Sequence, residues 1–337
     1  MIPATSLDTQ PARSLPDWRQ SLREAIGDPR ELLRLLGLEH LADGLPVTDA
    51  GFTTRVPRGF AARMRRGDPR DPLLLQVLPQ LAELDEHPGF TTDAVGDLAA
   101  RAAHGLLHKY AGRALLIAAG SCAINCRYCF RRHFPYAQGI AAADGWREAL
   151  AYLREDASVN ELILSGGDPL VLATRKLAEL TDSLRAIPHV VRLRLHTRLP
   201  VVLPERIDGE LCAWLSELPL QCVIVLHANH PNELDNPVGD ACARLRDAGA
   251  TLLNQSVLLR GINDDAGVLA ALSERLFEIG VLPYYLHQMD RVRGAAHFEV
   301  DDAHARVLCD ELQARLPGYL VPRLVREIAG EASKTPV

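Results

Sequence analysis

Three cysteines, Cys122, Cys126 and Cys129, stand in one short stretch (GSCAINCRYCF, residues 120–130) with C-x3-C-x2-C spacing, and Arg131, Arg132 and His133 follow at once. Thiolates are soft ligands that suit iron–sulfur clusters and zinc. A cubane cluster takes one protein ligand per iron, so three cysteines leave one iron free to bind something else. An iron with an open position can do chemistry. Zinc is the competing reading: structural zinc usually has two paired arms and no second arm follows here, although His133 could complete a Cys3His set. Spacing alone leaves cluster, zinc and uncoordinated thiols open, with the odd count pointing to the cluster. Cys212, Cys222, Cys242 and Cys309 stand singly in apolar or helical surroundings, where a thiol packs as a small hydrophobe.

Other residues carry weaker signals. In residues 190–198 (VVRLRLHTR), Arg192, Arg194, His196 and Arg198 alternate with Leu193, Leu195 and Thr197. Period two puts the four polar side chains on one face of a strand. A half-solvated antiparallel strand would look the same, but a central parallel strand is normally apolar on both faces, so a polar inner face there points to an interior that holds a charged ligand. Gly166-Gly167 before Asp168-Pro169 allows close backbone approach to a ligand, and equally makes an ordinary turn. Neither phosphate-binding glycine fingerprint is present. Lys334, Asp290 and Glu327 carry no signal of their own.

These residues need elements to position them. From residue 114 onward short β-branched or Leu-rich runs alternate with stretches of helical period. The runs lie at 114–119, 161–165, 190–197, 221–228, 251–258 and 281–288, and the helical stretches at 144–154, 175–187, 205–218, 238–248, 266–279 and 302–316. Six strand–helix units imply a parallel sheet with right-handed crossovers. The predicted fold is α/β, a partial (β/α)6 TIM-like barrel, because full closure needs about two more units. Function then collects on the loops after the strands, where the cysteines, Gly166-Gly167, His196, Arg198, His227 and residues 287–290 all fall. Residues 1–107 are expected to form a helical region packed on the barrel, with helices at 18–26, 30–36, 72–84 and 92–109; residues 108–318 form the core, and residues 330–337 read as a loose polar tail.

A chain of 337 residues with 47% hydrophobic content can bury a large core. A formal charge of −6 gives no footprint for nucleic acid. The first residues lack a basic start followed by an apolar run, and no stretch reaches the ~18 apolar residues of a membrane span, so a cytoplasmic protein with no membrane association is expected. Free thiols fit a reducing compartment.

The cysteine triplet resembles that of the radical S-adenosylmethionine superfamily, and further segments narrow the resemblance: HKYAGR (108–113), CRYCFRR (126–132), SGGD (165–168), PVVLP (200–204), NHPNE (229–233), NQSVLLRG (254–261) and KTP (334–336) are together similar to the lysine 2,3-aminomutase family. Residues 56–79, ending in DPLLLQVLP, resemble its short subgroup, which makes β-lysine for modification of elongation factor P. The resemblance implies a [4Fe-4S] cluster on Cys122, Cys126 and Cys129, with S-adenosylmethionine on the fourth iron and contacted by Gly166, Gly167, His227 and Gln255. It implies pyridoxal 5′-phosphate (PLP) bound covalently by Lys334, in residues 319–337 closing over the barrel mouth, with its phosphate near Lys109, Tyr110 and Arg113. Lysine would be held by Arg131 at its carboxylate and by Asp290 and Glu327 at its ε-ammonium. Partners implied are a low-potential electron donor and, functionally, elongation factor P and its lysyl ligase. Three positions depart from the family pattern: Lys109 stands where the family often has Arg, Glu327 replaces the usual Asp, and His287 stands where Tyr often flanks the PLP ring.

Overall fold

The computed structural model describes residues 17–46 and 52–337; the expectation about the first residues of the chain lies largely outside them. One ten-stranded sheet runs in chain order: β1 (Arg101–Ala103), β2 (Leu106–Tyr110), β3 (Arg113–Ala119), β4 (Glu161–Gly166), β5 (Arg192–Thr197), β6 (Gln221–Leu226), β7 (Thr251–Leu258), β8 (Leu282–Gln288), β9 (Arg323–Arg326) and β10 (Thr335–Pro336). Strands β3 to β8 are parallel neighbours and match the six expected runs. Strand β9 adds a seventh parallel strand with no helix after it, and β1, β2 and β10 pair antiparallel at the two edges. The edges do not pair with each other, which makes the sheet an open, partial barrel.

Helices cover the outer face. Arg147–Glu155, Thr174–Leu184, Gly209–Ser216, Asn236–Asp247, Ala266–Glu278 and Asp302–Arg315 each return the chain to the next strand. The last four start at Asp208, Asp235, Asp265 and Asp301, whose carboxylates accept from backbone N–H groups of the first turn. Such caps satisfy donors that the helix leaves free, each worth about 1 kcal/mol. Leu162, Leu164, Leu193, Leu195, Ile224 and Leu252 pack outward against Leu177, Leu180, Leu211 and Leu245 of these helices. The opposite side chains face the barrel interior. Strand β5 is parallel to both neighbours, so the alternation of its arginines and leucines separates barrel interior from core rather than solvent from core.

Three expectations are corrected. Residues 92–109 hold no helix: Leu106 and Leu107 register with Leu116 and Leu115, and Gly105, at φ +68, turns β1 into β2 where a Cβ would lie 2.5 Å from the Ala141 nitrogen. The apolar pair was drawn into the sheet edge, where pairing outweighs local helical period. Residues 72–84 give only a helical turn at Pro72–Leu75 and a 3-10 turn at Leu81–Leu84, because Pro79 between them lacks an N–H. The segment at 330–337 is no loose tail: Thr335 and Pro336 pair with Arg326 and Val325, anchoring Lys334 beside them. No described helix is long and apolar enough to cross a membrane.

Candidate active site

Strand β3 runs directly into the cysteine loop, and the glycine pair at the end of β4 packs against its first turn. Gly167 N–H donates to Ala119 O at 2.8 Å and Asp168 N–H to Ser121 O at 2.9 Å. A Cβ on Gly167 would sit 2.3 Å from Ser121 O, and one on Gly166, at φ +109, 2.7 Å from Ala119 O. Glycine is therefore required here by the loop itself. On its other side the loop is clamped from the N-terminal region. Arg127 N–H donates to Gln76 O at 2.8 Å, Asn125 N–H to Arg55 O at 3.0 Å, and the buried Glu83 carboxylate receives both Arg127 (Nε, 2.8 Å) and Arg132 (Nη2, 2.6 Å). Burial opposes the Glu83 charge, but the two guanidiniums outweigh it and hold the carboxyl below the usual range.

Cys122, Cys126 and Cys129 line a cavity of about 580 Å³ inside the barrel. Burial and the Cys126 sulfur push the Cys129 thiol up to about 11, and burial, Asp168 and the other two sulfurs raise Cys122, so metal binding there must displace protons. His133 is turned away, with Nε2 3.1 Å from Arg293 O, and does not complete a Cys3His set.

Every residue to which the resemblance gives a role borders this one cavity: Lys109, Tyr110, Arg113, Arg131, Gly166, Gly167, His227, Gln255, Asp290, Glu327 and Lys334 join the three cysteines, whereas Arg132, His133 and Arg192 lie outside it. A chain of alternating charges crosses its wall. Lys334 Nζ lies 2.7 Å from Glu327, Glu327 3.3 Å from Lys109, Lys109 2.7 Å from Asp97, and Asp97 2.7 Å from Arg131 Nε. Ser165 Oγ accepts from Arg131 Nη1 at 3.0 Å. Lys109 also donates to Val95 O at 2.7 Å, so this cation is held from three sides by Val95, Asp97 and Glu327. The Arg113 guanidinium stacks 4.5 Å from the Tyr110 ring, and Lys334 lies 5.7 Å from that of Tyr285.

The electrostatics separate the groups. Burial pushes the Asp290 carboxyl up to about 7, with Lys334 pulling it down and Glu327 adding to the rise. Glu327 itself is raised by burial but held below the usual range by Lys334 and Lys109. His227 is pushed down to about 3 by burial and by Arg198, Lys334 and Arg131; its Nε2 lies 2.6 Å from Gln255 Nε2, which donates to it. His196 and His287 are also held neutral by burial and nearby cations. Their Nε2 atoms are buried in the cavity wall with no partner. Orphaned polar atoms in a wall that also offers two amines, four guanidiniums and a cysteine triplet fit a site built for polar cofactors.

Sequence reasoning missed Asp97, Glu161 and Tyr285, which border the same cavity. Asp97 fell within the segment read as helix; Asp93 instead folds that loop by accepting from Asp97 N–H at 2.8 Å and Leu98 N–H at 3.1 Å. A local DxxxD pattern was the available signal.

A profile of the 4Fe-4S single cluster domain matches residues 111–190, which contain the cysteine loop and the glycine pair. L-lysine 2,3-aminomutase of Escherichia coli (strain K12) is 50% identical over 324 residues, covering 95% of this chain and 94% of that protein. The protein of the same name from Haemophilus influenzae is 48% identical over 322 residues, covering 95% of each chain. That from Clostridium subterminale is 34% identical over 324 residues, covering 95% of this chain and 77% of its own.

Proposed function

The chain belongs to the L-lysine 2,3-aminomutase family, and from that premise we propose that it uses a cluster, S-adenosylmethionine and PLP to move the α-amino group of lysine to C3, giving β-lysine. It is an enzyme, an isomerase of this type, with a 4Fe-4S cluster domain. The observation that carries the finer reading is one cavity shared by the cysteine triplet, the Lys334 amine, the Arg131 cation and the Asp290 and Glu327 carboxylates. Lysine offers a carboxylate at one end and an ammonium at the other, and a site with both signs of charge complements it. Glutamate would place a second carboxylate against the two acids.

The unactivated C3–H bond is beyond any side-chain base; the cluster with S-adenosylmethionine supplies a radical able to take that hydrogen, and PLP supplies a carrier for the migrating nitrogen. The chain's own residues bind and orient. Cys122, Cys126 and Cys129 hold the cluster, and Lys334 holds PLP. Arg131, fixed at Nε by Asp97 and at Nη1 by Ser165, takes the substrate carboxylate. Asp290 and Glu327 would take the ε-ammonium, Glu327 being a carboxylate that already holds an amine, that of Lys334 at 2.7 Å. Tyr110 and Arg113 face the PLP phosphate, and Lys109 adds positive charge while bridging Asp97 and Glu327. Gly166, Gly167, His227 and Gln255 would hold S-adenosylmethionine, and a neutral His227 would add no charge to that of the cation. Enclosure by the barrel keeps water from the radical.

β-Lysine made here supplies the modification of a lysine of elongation factor P through its lysyl ligase, and a low-potential donor provides the electron. Similarity of residues 56–79 to the short subgroup supports that destination. The test is incubation of anaerobically reconstituted protein with S-adenosylmethionine, PLP and dithionite, using free lysine or lysylated elongation factor P as substrate. β-Lysine from free lysine is expected. Turnover of glutamate or arginine without turnover of lysine would overturn the substrate assignment, and reaction of the lysylated protein alone would reverse the order of steps.

A further inference from the structure

We infer that Arg198 is a positioning residue for the iron–sulfur cluster, placing a buried cation on the Cys126 sulfur and thereby raising the cluster's reduction potential. Arg198 follows β5, and its backbone N–H is fixed by Asp168 Oδ2 at 2.7 Å. From there the side chain reaches under the cysteine loop, where Nη1 donates to Cys126 Sγ and, at 2.8 Å, to the Tyr128 hydroxyl. The other arm is held by two partners: Nη2 donates to Gln76 Oε1 at 2.7 Å and to Glu233 Oε2 at 2.8 Å. Asn229 secures the same network, donating to the Tyr128 hydroxyl at 2.6 Å and to Gln76 Oε1 at 3.0 Å. The guanidinium also faces the rings of Phe60 and Tyr128, at 5.6 and 5.8 Å.

This arrangement is more than a buried ion pair. The Arg198 side chain is 7% exposed and Glu233 is fully buried. Glu233 already accepts from the N–H groups of Asn229 (2.9 Å) and His230 (3.1 Å) and from Gln76 Nε2 (3.1 Å), so its charge is spread over several donors. Neutralising Glu233 would not require Arg198 to extend to the sulfur. With Nη2 held by Gln76 and Glu233, the fork turns Nη1 toward the Tyr128 hydroxyl and the Cys126 sulfur. Hydrogen bonds to ligand sulfurs and fixed nearby charge are main determinants of cluster potential. Reduction adds one electron from the external donor to the cluster and no proton, so a cation on a ligand sulfur stabilises the reduced form more than the oxidised one, and burial weakens the screening.

The inference rests on the cluster and on nothing proposed for PLP or lysine. The test is an anaerobic redox titration of the full-length protein with reconstituted cluster, without S-adenosylmethionine or PLP, following the electron paramagnetic resonance signal of the reduced cluster in wild type, Arg198→Gln and Arg198→Lys. Arg198→Gln at full iron and sulfide content is expected to have a more negative midpoint. Lysine keeps the charge but cannot serve the sulfur and Glu233 together, so Arg198→Lys is expected to shift the same way by less. A fully loaded Arg198→Gln protein with the wild-type midpoint would overturn the inference, because a purely structural role would change thermal stability or cluster content only. If Arg198→Gln fails to load, Arg198→Lys decides alone: a midpoint more negative than wild type supports the inference and an unchanged one overturns it. A wild-type protein that takes up no cluster would instead overturn the cluster assignment beneath it.

Discussion

Asp290 is the acid whose charge costs most at this site, and its two roles pull in opposite directions with pH. A folded-state pKa raised to about 7 means that the folded protein holds this proton more tightly than the unfolded chain. Its contribution to stability is present below the ordinary carboxylate range and is lost as pH rises through about 7. Asp290→Asn is therefore expected to raise the melting temperature at pH 8 relative to wild type, with the gain shrinking toward pH 5. The same variant should weaken lysine: loss of a charged hydrogen bond predicts a KM increase of ~10-fold or more. In wild type, KM for lysine should fall as pH rises through 7 and Asp290 ionises; a KM unchanged by the substitution would remove Asp290 from the substrate. Lys334→Ala should abolish covalent trapping of PLP on the protein by borohydride while leaving iron content unchanged, and a trapped PLP adduct that survived would show that PLP is held elsewhere. None of this was legible in the identities of these acids and this lysine. Asp290 and Lys334 lie 44 positions apart, and only the resemblance joined them before the fold did.

At the scale of elements, the cysteine loop has little shape of its own and takes it from neighbours. The glycine pair of β4 supports it on one side, and the Glu83, Arg127 and Arg132 cluster on the other. Gly167→Ala would drive a Cβ into the Ser121 carbonyl, so it should reduce iron incorporation per chain even where the barrel stays folded; full incorporation would contradict the packing account. Glu83→Gln leaves two buried guanidiniums without their counter-charge, with an expected loss of ~3–5 kcal/mol in urea unfolding. A loss below ~1 kcal/mol would place that cluster among weak, solvated pairs. The six parallel strands were legible because apolar runs and helical stretches alternate over long windows. Strands β1 and β2 were not, because Leu106 and Leu107 gain their strand conformation from β3 rather than from local pattern. Strand β10 was missed for a similar reason: Thr335 and Pro336 are too few to carry a strand pattern of their own, and the edge of β9 orders them.

For the whole molecule, the open barrel is joined across its seam by chemistry rather than by backbone pairing. Lys109, on β2 near one edge, meets Glu327, just after β9 near the other, and Ala329 packs so close to Gly96 that a Cβ there would lie 2.9 Å away. The residues assigned to the carboxylate, the ε-ammonium and PLP sit along this seam, so closing the barrel and assembling the binding wall are one event. Lys109→Met should therefore loosen both, lowering PLP affinity and increasing proteolysis near residues 327–334, whereas a change in affinity alone would confine Lys109 to the phosphate. The central claim is that this single cavity rearranges free lysine. The direct measurement is 13C nuclear magnetic resonance of [2-13C]lysine incubated anaerobically with the reconstituted enzyme, S-adenosylmethionine, PLP and dithionite. The predicted result is conversion of the amine-bearing labelled carbon to the methylene beside the carboxylate of β-lysine, dependent on both S-adenosylmethionine and an intact Cys126. An unchanged lysine spectrum from protein with full cluster and bound PLP would contradict it.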